Sequence, residues 1–202
     1  MSSELKRRVA REAATLLFFG AEKEYKQAKT KAAETLGTHF LPSNLEVALE
    51  LDKIVEENEG SKRKERLIEM RKEALAVMKL IGAYCPLLIG SVWRGTIRRG
   101  SDIDIATYAD DPQKVLDALK TQHVKISRTA WTTVNKHGAT LASYHIFAET
   151  PGKNALEIVV RASDENGKRR KCEIFGDEIK GLKLQELEKL LQDNPSQKFI
   201  PE

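Results

Sequence analysis

The stretch Leu88-Ile-Gly-Ser-Val-Trp-Arg-Gly-Thr-Ile-Arg-Arg-Gly-Ser-Asp-Ile-Asp-Ile105 decides how this chain is read. It continues an apolar run from Pro86, short enough for a buried strand, and the run stops at Gly90-Ser91. A glycine at the end of a buried strand lets backbone approach a ligand closely. The N–H groups of a turn that opens a short helix then point outward as an anion cradle. The Ser91 hydroxyl adds one hydrogen bond to a phosphate oxygen. Ten residues separate Ser91 from Asp102, and Asp104 stands two positions further on. Residues two apart on a strand share a face, so Asp102 and Asp104 project together while Ile103 and Ile105 enter the core. Adjacent carboxylates repel each other in water and become favourable with divalent cations between them. Mg²⁺ is typically held by one or two carboxylates plus substrate phosphates. A phosphate cradle beside a carboxylate pair therefore describes a nucleotide–metal site. The competing reading of the pair is a solvated strand face, and Gly-Ser at this distance argues against it.

Upstream of this stretch the pattern is helical. Residues 4–36 are rich in Ala, Glu, Lys and Leu, broken only at Gly20 and ended by Gly37. Ser43 and Glu46 form a capping box that opens a helix carrying Leu45, Ala48, Leu49 and Val55 at helical spacing. Gly60-Ser61 breaks it, and residues 62–82 place Leu67, Met70, Ala74, Val77, Met78 and Ile81 on one stripe. Downstream, strands dominate. Residues 102–108, 124–134, 140–149 and 155–162 read as strands, 112–121 and 184–191 as helices. Asn135 to Gly138 joins the two long strands. The expected division is a helical region over 1–83, a core over 84–165, and a basic loop with a last helix over 166–202.

The composition, 41% hydrophobic and 32% charged, excludes a disordered chain. No apolar run approaches the roughly 20 residues of a membrane span. The first residues lack the apolar core of a secretion signal, and two distant cysteines fit a reducing compartment, so a cytoplasmic location is expected. The net charge of +4 suits a nucleotide or nucleic-acid partner. Most basic residues alternate with acids as on a solvated helix face; Arg94, Arg98, Arg99 and the run Lys168 to Lys171 do not. Trp93, Trp131, Tyr108 and Tyr144 fit packing better than base stacking. The four histidines have no ligand spacing, and the chemistry described needs none of them.

Ile89-Gly90-Ser91 followed by Asp102-Ile103-Asp104-Ile105 closely resembles the signature of the DNA polymerase β-like nucleotidyltransferase superfamily. Arg94-Gly95-Thr96 and Ser101 resemble the fill of that motif in archaeal tRNA CCA-adding enzymes and in minimal members. The resemblance covers roughly residues 84–162. It implies an α+β fold, with a small mixed sheet preceded here by the N-terminal helices. It also implies Mg²⁺ or Mn²⁺, a nucleoside triphosphate with ATP as the first candidate, and a third carboxylate on a later strand. Glu157, an acid between Leu156 and Ile158, is the best match, although many members carry Asp there. A salt bridge to Arg161 or Lys153 is its structural alternative, and Glu149 and Glu173 are weaker matches. Gly90, Ser91, Arg94 and Ser101 are the expected nucleotide contacts, with Arg94 either clamping a triphosphate or pairing with an acid.

The acceptor is open at this level. An RNA terminus fits the motif, the basic loop and the charge. A protein or small-molecule hydroxyl fits a resemblance to adenylylating antitoxins and aminoglycoside-modifying enzymes. A catalytically idle binding module is a third reading, against which the presence of all three acids argues. The N-terminal helices are expected to cover the sheet, bind the acceptor or form a homo-oligomer interface.

Overall fold

A computed structural model describes residues 2–120, 124–136 and 139–201. Thr121, His123, His137 and Gly138, which figure in the expectations above, lie outside the described residues. The chain divides into two compact units. One comprises Met1–Arg63, Arg170–Glu178 and Ile200–Glu202, the other Lys64–Arg169 and Ile179–Phe199.

The first unit holds α1 (Ser2–Phe18), α2 (Tyr25–Thr35) and the first half of α3 (Asn44–Leu80). Its core is alanine-rich, with Ala10, Ala13 and Ala14 clustered with Ala28, Ala32 and Ala33. Small side chains let helices lie close together. From α3 the cluster takes Val47, Leu51, Ile54 and Val55. The expected stripe is thus shifted: Val55 and Ala48 are buried, Leu45 and Leu49 only half-buried. The capping box forms as the sequence requires. The Ser43 N–H donates to Glu46 Oε2 at 2.7 Å, and the Glu46 N–H donates to Ser43 Oγ at 3.1 Å. Gly60 interrupts α3 with φ 50° and ψ −130°, a conformation open to glycine and strained for other residues.

The second unit takes the rest of α3 and a six-stranded mixed sheet. In chain order it contains β1 (Leu87–Ile89), α4 (Gly90–Arg94), β2 (Ile103–Tyr108), α5 (Pro112–Lys120), β3 (Lys125–Lys136), β4 (Ala139–Glu149), β5 (Ala155–Arg161), β6 (Leu182–Lys183) and α6 (Leu184–Asp193). The sheet order is β3-β4-β5-β2-β1-β6, and β2–β5 is the parallel pair. Ile103 and Ile105 of β2, Ile146 of β4, and Leu156 and Ile158 of β5 enter one core with helix side chains. Those helix side chains include Leu67, Met70, Ala74, Val77, Met78 and Ile81 of α3, the full stripe read from the sequence. One boundary between the compact units lies near residue 63, upstream of the change of sequence character at 83, because that stripe is buried with the sheet. Within 166–202, residues 170–178 group with the first unit and α6 with the second. Among the described residues no helix is long and apolar enough to cross a membrane.

Candidate active site

Strand register assembles the site. In the β2–β5 pair Asp104 stands opposite Glu157, and in the β1–β2 pair Ile89 stands opposite Asp104. Ile89, Asp104 and Glu157 thereby occupy neighbouring positions on three adjacent strands, and Gly90 follows Ile89 as the first residue of α4. Asp102 sits one residue before β2. One carboxylate oxygen each from Asp102, Asp104 and Glu157 lies within 4.8 Å of the other two, and all three residues are half-buried. Three convergent carboxylates are a donor set for a hard divalent cation. The electrostatics agree. Burial, then the charges of Asp102 and Glu157, push the Asp104 carboxyl up to about 8. A proton or a cation at the cluster would relieve that repulsion.

Gly90 has φ 70°, and a Cβ built on it would lie 2.0 Å from Asp104 Oδ2. The missing side chain thus makes room for a carboxylate of the cluster, which adds a second demand to the expected backbone approach to a ligand. Ser91 follows in the first turn of α4. That helix ends at once, because the Thr96 N–H donates to the Ser91 carbonyl at 3.0 Å and Gly95 takes φ 74°. Ser101 closes the turn before the strand, its Oγ accepting the Arg98 N–H at 3.0 Å. That turn delivers Asp102 to the cluster.

Arg94, expected to clamp a triphosphate or pair with an acid, has contacts inside the protein. It is buried, its guanidinium lies over the Trp93 ring 4.5 Å from the centroid, and Nη1 donates to the Phe199 carbonyl at 3.0 Å. The Phe199 N–H returns a bond to the Arg94 carbonyl at 2.9 Å. Trp93, expected to pack, does so, stacked on Phe199 with centroids 6.4 Å apart. Arg71, which the sequence did not single out, completes the arrangement. Its fully buried guanidinium donates to the carbonyls of Val92, Trp93, Pro195 and Gln197 at 2.7–3.0 Å. Burial lowers its pKa to about 10, still charged at neutral pH. Arg71 and Arg94 together strap the segment 195–199 onto α4. A buried arginine inside an apolar helical stripe is the one signal by which Arg71 was findable.

Glu157 has a partner other than Arg161 or Lys153. Its Oε1 lies 2.6 Å from His145 Nδ1, and His145 Nε2 lies 2.9 Å from Ser143 Oγ. The sequence drew no histidine to this cluster, and the structure sets His145 beside Glu157. With an ionised Glu157 as acceptor, Nδ1 carries the proton and Nε2 accepts from the serine hydroxyl. The His145 ring stacks on Phe147 at 6.2 Å. No spacing within β4 points to Glu157, since only the β4–β5 register brings the two together. Glu149 instead lies 3.7 Å from Lys125, and Glu173 belongs to the other unit. Lys168 pairs with Asp164 and Glu165, the solvated-loop arrangement. Trp131 is exposed and tilts against Tyr144 with centroids 5.1 Å apart.

No protein-family model matches the chain, and none of the curated proteins matches it. Matching solved structures include a cytoplasmic RNA terminal U-transferase, at 13% identity and TM-score 0.34, over 58% of this chain and 34% of that one. Another is a chain of a GLD-2/RNP-8 complex, at 11% identity and TM-score 0.34, over 60% of this chain and 38% of that one. The chain spans little more than a third of either structure's length, and a likeness at this level carries no functional assignment.

Proposed function

We propose that the protein is a Mg²⁺- or Mn²⁺-dependent nucleotidyltransferase that moves a nucleoside monophosphate from a nucleoside triphosphate, ATP first among candidates, to a hydroxyl of RNA. The observation that carries this reading is the convergence of Asp102, Asp104 and Glu157 within 4.8 Å, beside the glycine-serine turn that opens α4. Asp102, Asp104 and Glu157 would hold the metal. Bound there, a divalent cation supplies a Lewis acid that offsets phosphate charge and eases deprotonation of the acceptor hydroxyl. Gly90 and Ser91 bind the outer phosphates through backbone N–H groups and the serine hydroxyl. Glu157, anchored by His145, lies on the side of the cluster toward β4, where an acceptor would enter. The acceptor hydroxyl gives up its proton, with Glu157 as the candidate base, its oxygen forms a bond to the α-phosphorus, the bond to the bridging oxygen breaks, and pyrophosphate leaves. Ser101 contributes by shaping the turn, and Arg94 by holding α4.

The test is incubation of the full chain with each labelled nucleoside triphosphate, Mg²⁺ and total cellular RNA, tRNA included. Label on RNA is expected, and it is expected to vanish with Asp104→Ala. Label on the protein instead would move the acceptor to a protein hydroxyl. Undiminished pyrophosphate release by Asp104→Ala would sink the assignment.

A further inference from the structure

Two of the three acids, Asp104 and Glu157, begin a row of side chains that continues across the sheet. Asp104 on β2 is in register with Glu157 on β5, Glu157 with Phe147 on β4, and Phe147 with Arg128 on β3. Ile146, Ala148, Leu156 and Ile158 point into the core. Side chains alternate along a strand, so Phe147 and Glu157 project from the opposite face. Neighbouring strands lie about 4.8 Å apart, which sets Phe147 one strand and Arg128 two strands, roughly 10 Å, from the Glu157 position. The Arg128 guanidinium lies over the Phe147 ring, 3.9 Å from its centroid. Phe147 is half-buried and Arg128 is exposed. The ring's inner side is thus supported by the sheet and the stacked His145. The exposed Arg128 adds a planar cation above that ring.

We propose that Arg128 and Phe147 form the platform on which the terminal base of a single-stranded RNA acceptor stacks, delivering its hydroxyl to the acid cluster. The proposal rests on the nucleotidyl-transfer reading above and specifies where its acceptor lies. Unpaired bases are recognised by stacking on aromatic rings or guanidinium planes, whereas bases inside a duplex have both faces occupied. A polyanion is repelled by three carboxylates, and a fixed cation two strands away offsets that repulsion while its N–H groups reach a phosphate.

The test is direct binding of a fluorescent single-stranded oligoadenylate RNA to the full chain, read by anisotropy without nucleotide or divalent cation. Arg128→Ala and Phe147→Ala are each expected to weaken binding by about tenfold or more. Arg128→Lys is expected to remain weak, because it keeps the charge and loses the plane. Phe147→Leu, which keeps the apolar volume, serves if Phe147→Ala unfolds, and it should weaken binding too. Asp104→Asn should bind as tightly as the parent or more tightly while losing transfer. Affinity unchanged in the Arg128 and Phe147 variants, full rescue by lysine, or no binding by the parent protein overturns the proposal. Platform-dependent binding with pyrophosphate release intact in Asp104→Ala would instead sink the chemical reading and leave the platform standing.

Discussion

Glu157 illustrates what a single residue contributes beyond its type. Its carboxylate lies against His145 Nδ1, and His145 is held in turn by Ser143 and by the Phe147 ring. Partners of this kind fix the rotamer and basicity of a metal ligand and are typically worth 10–100-fold in metal affinity. His145→Ala should therefore weaken Mn²⁺ binding by about that factor, measured by electron paramagnetic resonance of the free ion. His145→Asn sets an amide N–H near the Nδ1 position and should recover most of the loss. Equal binding by the alanine variant would show that Glu157 needs no orienting group. Asp104 sets a pH dependence. Its pKa in the folded chain, about 8, lies above the ordinary aspartate value of about 3.9. Between those values the native state holds a proton that the unfolded chain has released, so stability falls as pH rises through that window. Metal-free protein should melt at a lower temperature at pH 8 than at pH 5, and Asp104→Asn should flatten the difference. Stabilisation by added Mg²⁺ should grow with pH, because the cation competes with the proton.

At the scale of elements, α4 is the critical piece, because five residues cannot hold a helix by themselves. Its position comes from outside: Arg71 on α3 and the segment 195–199 satisfy its terminal carbonyls and brace its C-terminal end. Removing the Arg71 side chain leaves four carbonyls, those of Val92 and Trp93 buried and those of Pro195 and Gln197 part-buried, without their charged donor, and Arg71→Ala should cost at least about 3 kcal/mol in urea denaturation. Arg94→Ala should lose about 2 kcal/mol for its bond to Phe199. A phosphate clamp predicts the opposite for Arg94, weakened triphosphate binding at unchanged stability, so isothermal titration with a non-hydrolysable triphosphate beside the denaturation curve separates the two. The strands and helices themselves were largely legible, because their signals are local: Ser43 and Glu46 cap a helix, Gly60 breaks one, and Ile103 and Ile105 alternate with acids. β6 was not, since two residues carry no periodicity and Leu182-Lys183 pairs only because Leu87 and Leu88 lie opposite.

At the scale of the molecule, the sheet unit depends on a helix that composition alone assigns elsewhere. Leu67, Met70, Ala74, Val77, Met78 and Ile81 are all buried with the strands. Each large apolar side chain among them is worth about 1.5–3 kcal/mol of burial, and whole domains are stable by only about 5–15 kcal/mol. A fragment of residues 84–202 should show no cooperative thermal transition by circular dichroism, whereas a fragment of residues 64–202 should. Cooperative melting of the shorter piece would mean that the α3 stripe is dispensable.

The sequence by itself determined the turn at Gly90-Ser91, the shared face of Asp102 and Asp104, the helix caps, and the apolar stripes. Each of these follows from neighbours a few residues apart, where steric limits and side-chain periodicity act directly. It also marked Glu157, through its resemblance to a known motif and through the cost of an acid in an apolar strand. Only the tertiary structure decided that Asp104 occupies the space Gly90 leaves, that His145 anchors Glu157, that Arg71 and Arg94 hold α4, and that Arg128 and Phe147 extend the row. Those contacts depend on strand order and register and on how chain ends pack. Such pairings are set by the summed burial of the whole core, and no local stretch of sequence encodes them.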